Sequence, residues 1–200
     1  NCAVIGASEQ YVGLDTDVVG NSEVGHNAIG SGQYKEQGGR LVNRSMDNGD
    51  MVNNETWVKH IVDPILKSQN GAHGNVPPRS KTLHLMGLIQ SQTIIHANII
   101  HLITLIDNAV ACGVRSLALH GLTDGRDDKD MHAIELFRQL DERFAQINHS
   151  HPGYYYRIAS GGGRMRITMD RYEDSWAMVE TGWNAHVHGK IDASKGGRYP

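Results

Sequence analysis

Two cysteines in 200 residues, Cys2 and Cys112, are too few for a disulfide framework, and their scarcity favours a reducing compartment. No apolar run approaches the ~20 residues that a bilayer-spanning helix needs, and no segment reads as a signal peptide. The expectation is a cytoplasmic protein with no membrane partner. A basic excess is missing too: the net charge is −3 with Lys and Arg scattered, so there is no electrostatic footprint for nucleic acid. The chain has no internal repeat and no low-complexity tract. No Gly-x-Gly-x-x-Gly follows a predicted strand, which argues against a dinucleotide-binding dehydrogenase. The first residue is Asn1 rather than methionine, as in a fragment or a processed form. Two hundred residues suit one or two domains and can bury a substantial core.

What is present is concentrated first in Val19 to Gly32, where Ser22 stands among small and polar residues with His26 four positions on. That spacing is one helical turn, so both side chains share a face if a helix begins here. Ser22 then lies in the first turn, where exposed N–H groups and the helix dipole favour an alkoxide or a phosphate ester. A helix-capping serine beside a surface histidine is the alternative. A serine hydrolase fits poorly, because Gly25 falls one place too late for a nucleophile elbow.

Residues 1 to about 40 read as loops and short helices around Ser22. Trp57 to Leu66 has helical apolar spacing, with Pro64 permitting a start or a kink. Ser68 to Ser80 is a polar, breaker-rich stretch, read as a loop or linker. Beyond it, strands are expected at Thr82–Leu88, Ser116–His120 and Tyr154–Ala159. They alternate with helices over Ile99–Val110, Met131–Ile147 and Tyr172–Ala185. Strand–helix alternation implies an α/β fold, a mostly parallel sheet with helices packed on it.

In such sheets ligands bind beyond the carboxyl ends of the strands. The three ends supply Ser91 to His96, then Thr123 to Asp128, then Ser160 to Met165 with Asp170-Arg171 close behind. One imidazole, several carboxylates and three guanidiniums suit a phosphorylated carboxylic acid, since arginine grips phosphate and carboxylate oxygens in pairs. Ordinary loop salt bridges, such as Arg126 with Asp124 or Asp127, are the alternative. His186 and His188 alternate as they would on one face of a strand. With no Cys or carboxylate spacing to complete a metal site, the remaining histidines read as surface residues.

Gly20-Asn21-Ser22-Glu23-Val24-Gly25-His26-Asn27 resembles the phosphoserine motif of the cofactor-independent phosphoglycerate mutases, manganese-dependent glycolytic enzymes of the alkaline phosphatase superfamily. Three later segments resemble the same family in the same order. They are Leu83 to Leu88, Asp124-Gly125-Arg126-Asp127, and Ala159 to Met165 with Thr168 to Glu173. The glycine triplet and Asp170-Arg171-Tyr172-Glu173 are most similar to the plant and trypanosomatid branch.

The resemblance implies an alkaline-phosphatase-like mutase with an inserted phosphotransferase domain, helices on both faces of its sheet, and only part of both domains present. Residues 1–50 would be a remnant of the metal-binding phosphatase domain and 51–200 an incomplete phosphotransferase domain. It further implies that Ser22 accepts the phosphoryl group and ligates metal, and that Asp127 is the acid/base. His96, Arg126, Arg164 and Arg171 would bind substrate. The implied reaction interconverts 3- and 2-phosphoglycerate through a phosphoserine, with two Mn²⁺ ions in the complete enzyme. Phosphoglycerate would be the partner of a monomeric protein. Two departures stand out. The family's Ser-Asp-Gly-Gly-Val-His-Ser loop reads Ser91-Gln92-Thr93-Ile94-Ile95-His96-Ala97, and most metal ligands have no counterpart. The isolated chain is therefore expected to be inactive, and a non-catalytic remnant that binds phosphorylated carboxylic acids is the alternative function.

Overall fold

In the computed structural model the described residues are 2, 4–71, 81–128, 131–169 and 173–191. A 3₁₀ turn at Glu9–Val12 precedes helices α1 (Ser22–Ser31) and α2 (Gly38–Asp47). A π-helical stretch, Trp57–Val62, runs directly into α3 (Asp63–Gln69). Then come β1 (Leu83–Ile89), α4 (Ile99–Ala111), β2 (Ser116–Thr123), α5 (His132–Ser150), β3 (Tyr155–Gly163), the short α6 (Arg164–Ile167) and α7 (Trp176–His186). No helix among the described residues is long and apolar enough to cross a membrane.

The three strands form one parallel sheet in the order β1-β2-β3. Leu83, Leu117, Leu119 and Tyr156 bury one face of it beneath Ile106 and Ala109 of α4 and Leu136, Leu140, Phe144 and Ile147 of α5. Each large apolar side chain buried this way contributes about 1.5–3 kcal/mol. The π-helical stretch adds Trp57 and Val62 to the same core, and its indole Nε1 donates to Asn108 Oδ1 at 2.6 Å. Pro64 sits just past the junction where the π-helical stretch runs into α3, with helical backbone on both sides, so the wider π turn stands where proline interrupts the i→i−4 ladder.

On the other face lies α7, whose His186 Nδ1 is 2.7 Å from Ser160 Oγ. Helices therefore cover both faces. Between β2 and β3 the register shifts: Leu119 pairs with Ile158, but His120 pairs with Ser160. The extra residue, Ala159, is a bulge that re-aims Ser160 toward the α7 side. His186 thus ends a helix, and the strand face expected for His186 and His188 does not exist. The reason is local: Trp176 to His186 forms a continuous helix, and His188 instead accepts from Trp183 Nε1 at 3.1 Å.

Smaller differences have similar causes. The strands run further than the apolar letters suggest, because their glycine-rich ends pair in the sheet. A side chain at Gly161 would stand 2.6 Å from the Gly121 carbonyl oxygen, so glycine is what lets β2 and β3 close there. The polar stretch expected from Ser68 begins later, since Ser68 and Gln69 complete α3. Gln69 then bridges to the turn before β2 through Gly113 O (3.0 Å) and Arg115 N (2.7 Å). Residues 72–80 lie outside the described set.

The N-terminal segment packs against the loop after β1. Val12, Leu14 and Val24 form a small buried cluster that Ile95 joins. Asn43 of α2 links two distant parts, donating to Asp15 Oδ2 and pairing through Oδ1 with His101 Nε2 of α4.

Candidate functional site

All three parallel strands deliver polar groups at their carboxyl ends. After β2, Asp124 is 1% exposed, and its Oδ2 accepts the backbone N–H groups of Asp127 (2.6 Å) and Asp128 (2.5 Å). This side-chain cap closes the Asp124–Asp128 turn, and Gly125 supplies the left-handed residue the turn needs at φ +64°. Burial alone pushes the Asp124 carboxyl up. The N–H groups of Asp128 and Asp127, the Arg164 guanidinium and the Gln90 amide together outweigh burial and hold it below the ordinary carboxylate value.

Arg164, the first residue of α6, is also almost wholly buried. Its Nη2 lies 3.0 Å from Asp124 Oδ1 and also donates to Asp127 Oδ2. Asp127 has two further polar neighbours, the His96 imidazole (Nε2 at 3.8 Å) and the Arg126 guanidinium (Nε at 3.8 Å). Four of the expected residues, His96, Arg126, Asp127 and Arg164, therefore meet at one point where the three strand ends converge. Although paired with Asp127, the Arg126 side chain remains 49% exposed. Arg171 lies outside the described residues.

Two residues that the sequence reading did not assign complete the support. Asp128 Oδ2 accepts the Ser91 N–H at 2.9 Å, while its Oδ1 lies 2.9 Å from His132 Nδ1 at the start of α5. Asp128 thereby ties the loop after β1, the loop after β2 and α5 together. The Asp-Gly pair at 124–125 was the available signal for the Asp124 cap; the Asp128 bridge spans 37 residues and leaves no local pattern.

Ser22 is the first residue of α1, and Asn21 rather than Ser22 caps the helix, accepting from Val24 N at 3.0 Å. The expected one-turn pairing is present. His26 Nδ1 is 3.1 Å from Ser22 Oγ and 2.6 Å from the Ser22 carbonyl oxygen, a donor to both in the Nδ1–H tautomer. Among the described residues no hydrogen bond or ion pair joins Ser22 to the strand-end group. The two are linked through packing: Val24 of α1 belongs to the small apolar cluster against which Ile95, next to His96, packs. A cleft of about 500 Å³ opens alongside, lined by Asp15, Arg40, Asn43, Gln92, Thr93 and His101 among others.

On the α7 side of the sheet a second polar array links His84, His120, Ser160 and His186. The contacts are His84 Nδ1 to His120 Nε2 at 2.9 Å, His120 Nδ1 to Ser160 Oγ at 2.6 Å, and Ser160 Oγ to His186 Nδ1 at 2.7 Å. Burial lowers the His120 and His186 imidazoles, and for His120 the neighbouring His84, His186 and Arg157 add to it. These histidines are structural links rather than isolated surface residues. Among the described residues no three His, Cys, Asp or Glu side chains converge to hold a metal ion. Ser22 has an imidazole beside it and no carboxylate partner, so the described residues do not supply a two-ion ligand set.

The family model described as "BPG-independent PGAM N-terminus" matches residues 42–198. The chain is 41% identical over 187 residues to a probable 2,3-bisphosphoglycerate-independent phosphoglycerate mutase of Leptospira interrogans, covering 93% of this chain and 31% of that protein. It is 38% identical over 188 residues to the 2,3-bisphosphoglycerate-independent phosphoglycerate mutase of Trypanosoma brucei brucei, covering 94% and 31%. A crystal structure of Leishmania mexicana phosphoglycerate mutase at low cobalt concentration matches with a TM-score of 0.73 and 36% identity, over 92% of this chain and 31% of that one. The chain thus spans 31% of the length of these relatives.

Proposed function

The chain belongs to the BPG-independent phosphoglycerate mutase family, and from that premise we propose that it carries the substrate-holding part of a site that interconverts 3- and 2-phosphoglycerate. The observation that supports this best is the convergence of His96, Arg126, Asp127 and Arg164 at the carboxyl ends of three parallel strands.

In this reading the phosphoryl group passes to Ser22 Oγ. The glycerate left behind turns over, and the phosphoryl group returns to its other hydroxyl. The transfer to serine divides an awkward internal migration into two in-line steps. Asp127, protonated at the outset, gives its proton to the oxygen that loses its phosphoryl group, then takes the proton of the hydroxyl that attacks the phosphoserine. Ser22 Oγ enters and leaves as the alkoxide, favoured by its place in the first turn of α1. Arg126 is the exposed cation that grips a phosphate or carboxylate, and His96 adds an imidazole beside it. His26 Nδ1–H, directed at both Ser22 oxygens, orients the acceptor. Manganese is the ion the family resemblance implies, with Ser22 as one ligand. The described residues do not fit a two-ion site by themselves, and no step above depends on one.

The 1–50 and 51–200 division stands as part of the proposal, with the family-model match from residue 42 as its support. Phosphoglycerate as partner, a monomeric state and cytoplasmic residence belong to the same reading. Binding of phosphorylated acids without turnover is the second reading. Gln92, Thr93 and Ile94, in place of an acidic, glycine-rich loop, favour it.

Calorimetric titration with 3-phosphoglycerate tests the proposal. Saturable binding is expected, weakened at least tenfold by Arg126→Ala, because charge-assisted bonds contribute about 1.5–3 kcal/mol. Asp127→Asn keeps the shape and should change affinity only modestly. Absence of binding, or equal weakening by both substitutions, would contradict the roles assigned.

A further inference from the structure

Asp124 is not one of the groups that meet solvent at the site, yet it touches both supports of the one that carries the proton. Its Oδ2 accepts the Asp127 backbone N–H at 2.6 Å, which fixes where that residue's Cα stands. Its Oδ1 lies 3.0 Å from Arg164 Nη2, the same nitrogen that donates to Asp127 Oδ2. The contacts close a ring from Asp124 through the Asp127 backbone to the Asp127 carboxylate, on to Arg164, and back. Asp124 is 1% exposed and the Arg164 side chain 6%, so water screens their contact poorly, while the Asp127 side chain, at 31%, also meets solvent.

The charges in this ring have a consequence for Asp127. A buried guanidinium with one carboxylate neighbour stabilises the ionised form of that neighbour strongly, which makes it a poor proton acceptor. Here the guanidinium is shared between two carboxylates. Asp124 is held ionised by two backbone N–H groups and by Arg164, so it offsets the field of Arg164 at Asp127. We propose that Asp124 is a positioning residue for the reaction: through Arg164 and the turn backbone it fixes the orientation of the Asp127 carboxylate and preserves its ability to take up a proton. The assignment rests on the acid/base reading of Asp127 given above, but the coupling within the trio stands or falls independently of ligand.

The test is carbon-detected NMR titration of the Asp127 carboxyl in the whole chain, with no ligand present. Asp124→Asn retains an oxygen to cap the turn but removes the offsetting charge, so the Asp127 midpoint should fall by about 1 unit. Arg164→Gln removes the cation and leaves two carboxylates together, so the midpoint should rise by a similar amount. If Asp124 only caps the turn, both variants lose thermal stability while the Asp127 midpoint stays put, and the proposal is overturned. Should both variants fail to fold, the unmutated chain still decides. The Arg164 guanidinium resonances must move with the Asp127 titration, and a guanidinium that stays still overturns the proposal. Opposite shifts in a chain that does not bind 3-phosphoglycerate would uphold the coupling and remove the functional reading instead.

Discussion

At Ser22 the side chain stands one position inside α1, so the capping duty falls to Asn21 and the Ser22 oxygen faces His26 instead. This division of labour predicts different fates for adjacent substitutions. Asn21→Ala removes the acceptor for the Val24 N–H and should cost about 1 kcal/mol of stability. Ser22→Ala takes away no cap and adds a better helix former, so the melting temperature should not fall. Thermal unfolding of both variants checks this; a larger loss at Ser22 would mean that Ser22 has a structural role the helix geometry does not reveal. The one-turn relation of Ser22 and His26 was legible in the letters alone. The capping role of Asn21 was not separated from that of Ser22, because both are good cap residues and only the backbone decides which is extended. Asp124 was visible as part of Asp-Gly-Arg-Asp, but its contact with Arg164 crosses from the end of β2 to α6 and has no sequence signature.

Among the elements, the strand–helix alternation from β1 to α5 was legible because its apolar periods are strong and its breaks are marked. Gly113, for instance, follows α4 at φ +84°. The strand ends were harder. Gly161, Gly162 and Gly163 have weak strand preference, and they pair with β2 only because adjacent backbones approach so closely there. Helix α2 opens on Gly38-Gly39, a poor start by propensity, and was not anticipated. It is held instead by side chains, among them Arg44 on Glu36 and Asn43 on Asp15. The α7–sheet contact carries a pH signature. His120 and His186 are both held below the ordinary histidine value by burial, so the unfolded chain binds more protons than the folded one as pH falls below about 6.5. Stability tied to their neutral forms is therefore present above that pH and lost beneath it. Denaturant midpoints measured from pH 8 to 5 should decline below about 6.5, and His186→Gln should flatten the decline. A midpoint that rises on acidification would contradict the burial of these rings.

Across the whole molecule, an N-terminal segment bearing Ser22 is joined to a sheet whose strand ends bring His96, Arg126, Asp127 and Arg164 together. Ile95 contributes to the small apolar cluster, and Asn43 spans Asp15 and His101. The order of the Ser22 motif and the strand-end motifs was readable in the letters. The docking was not, since an amide set between a carboxylate 28 residues away and an imidazole 58 residues away follows no local pattern. If phosphoglycerate binds where the three strand ends converge, amide chemical-shift mapping during a 3-phosphoglycerate titration will show it. Shifts should concentrate in residues 91–97, 124–128 and 160–166 and saturate with one midpoint, which Arg126→Ala should raise at least tenfold. Shifts confined to the His84–His120–His186 side of the sheet, or an unperturbed Asp124–Asp128 turn at saturation, would contradict it.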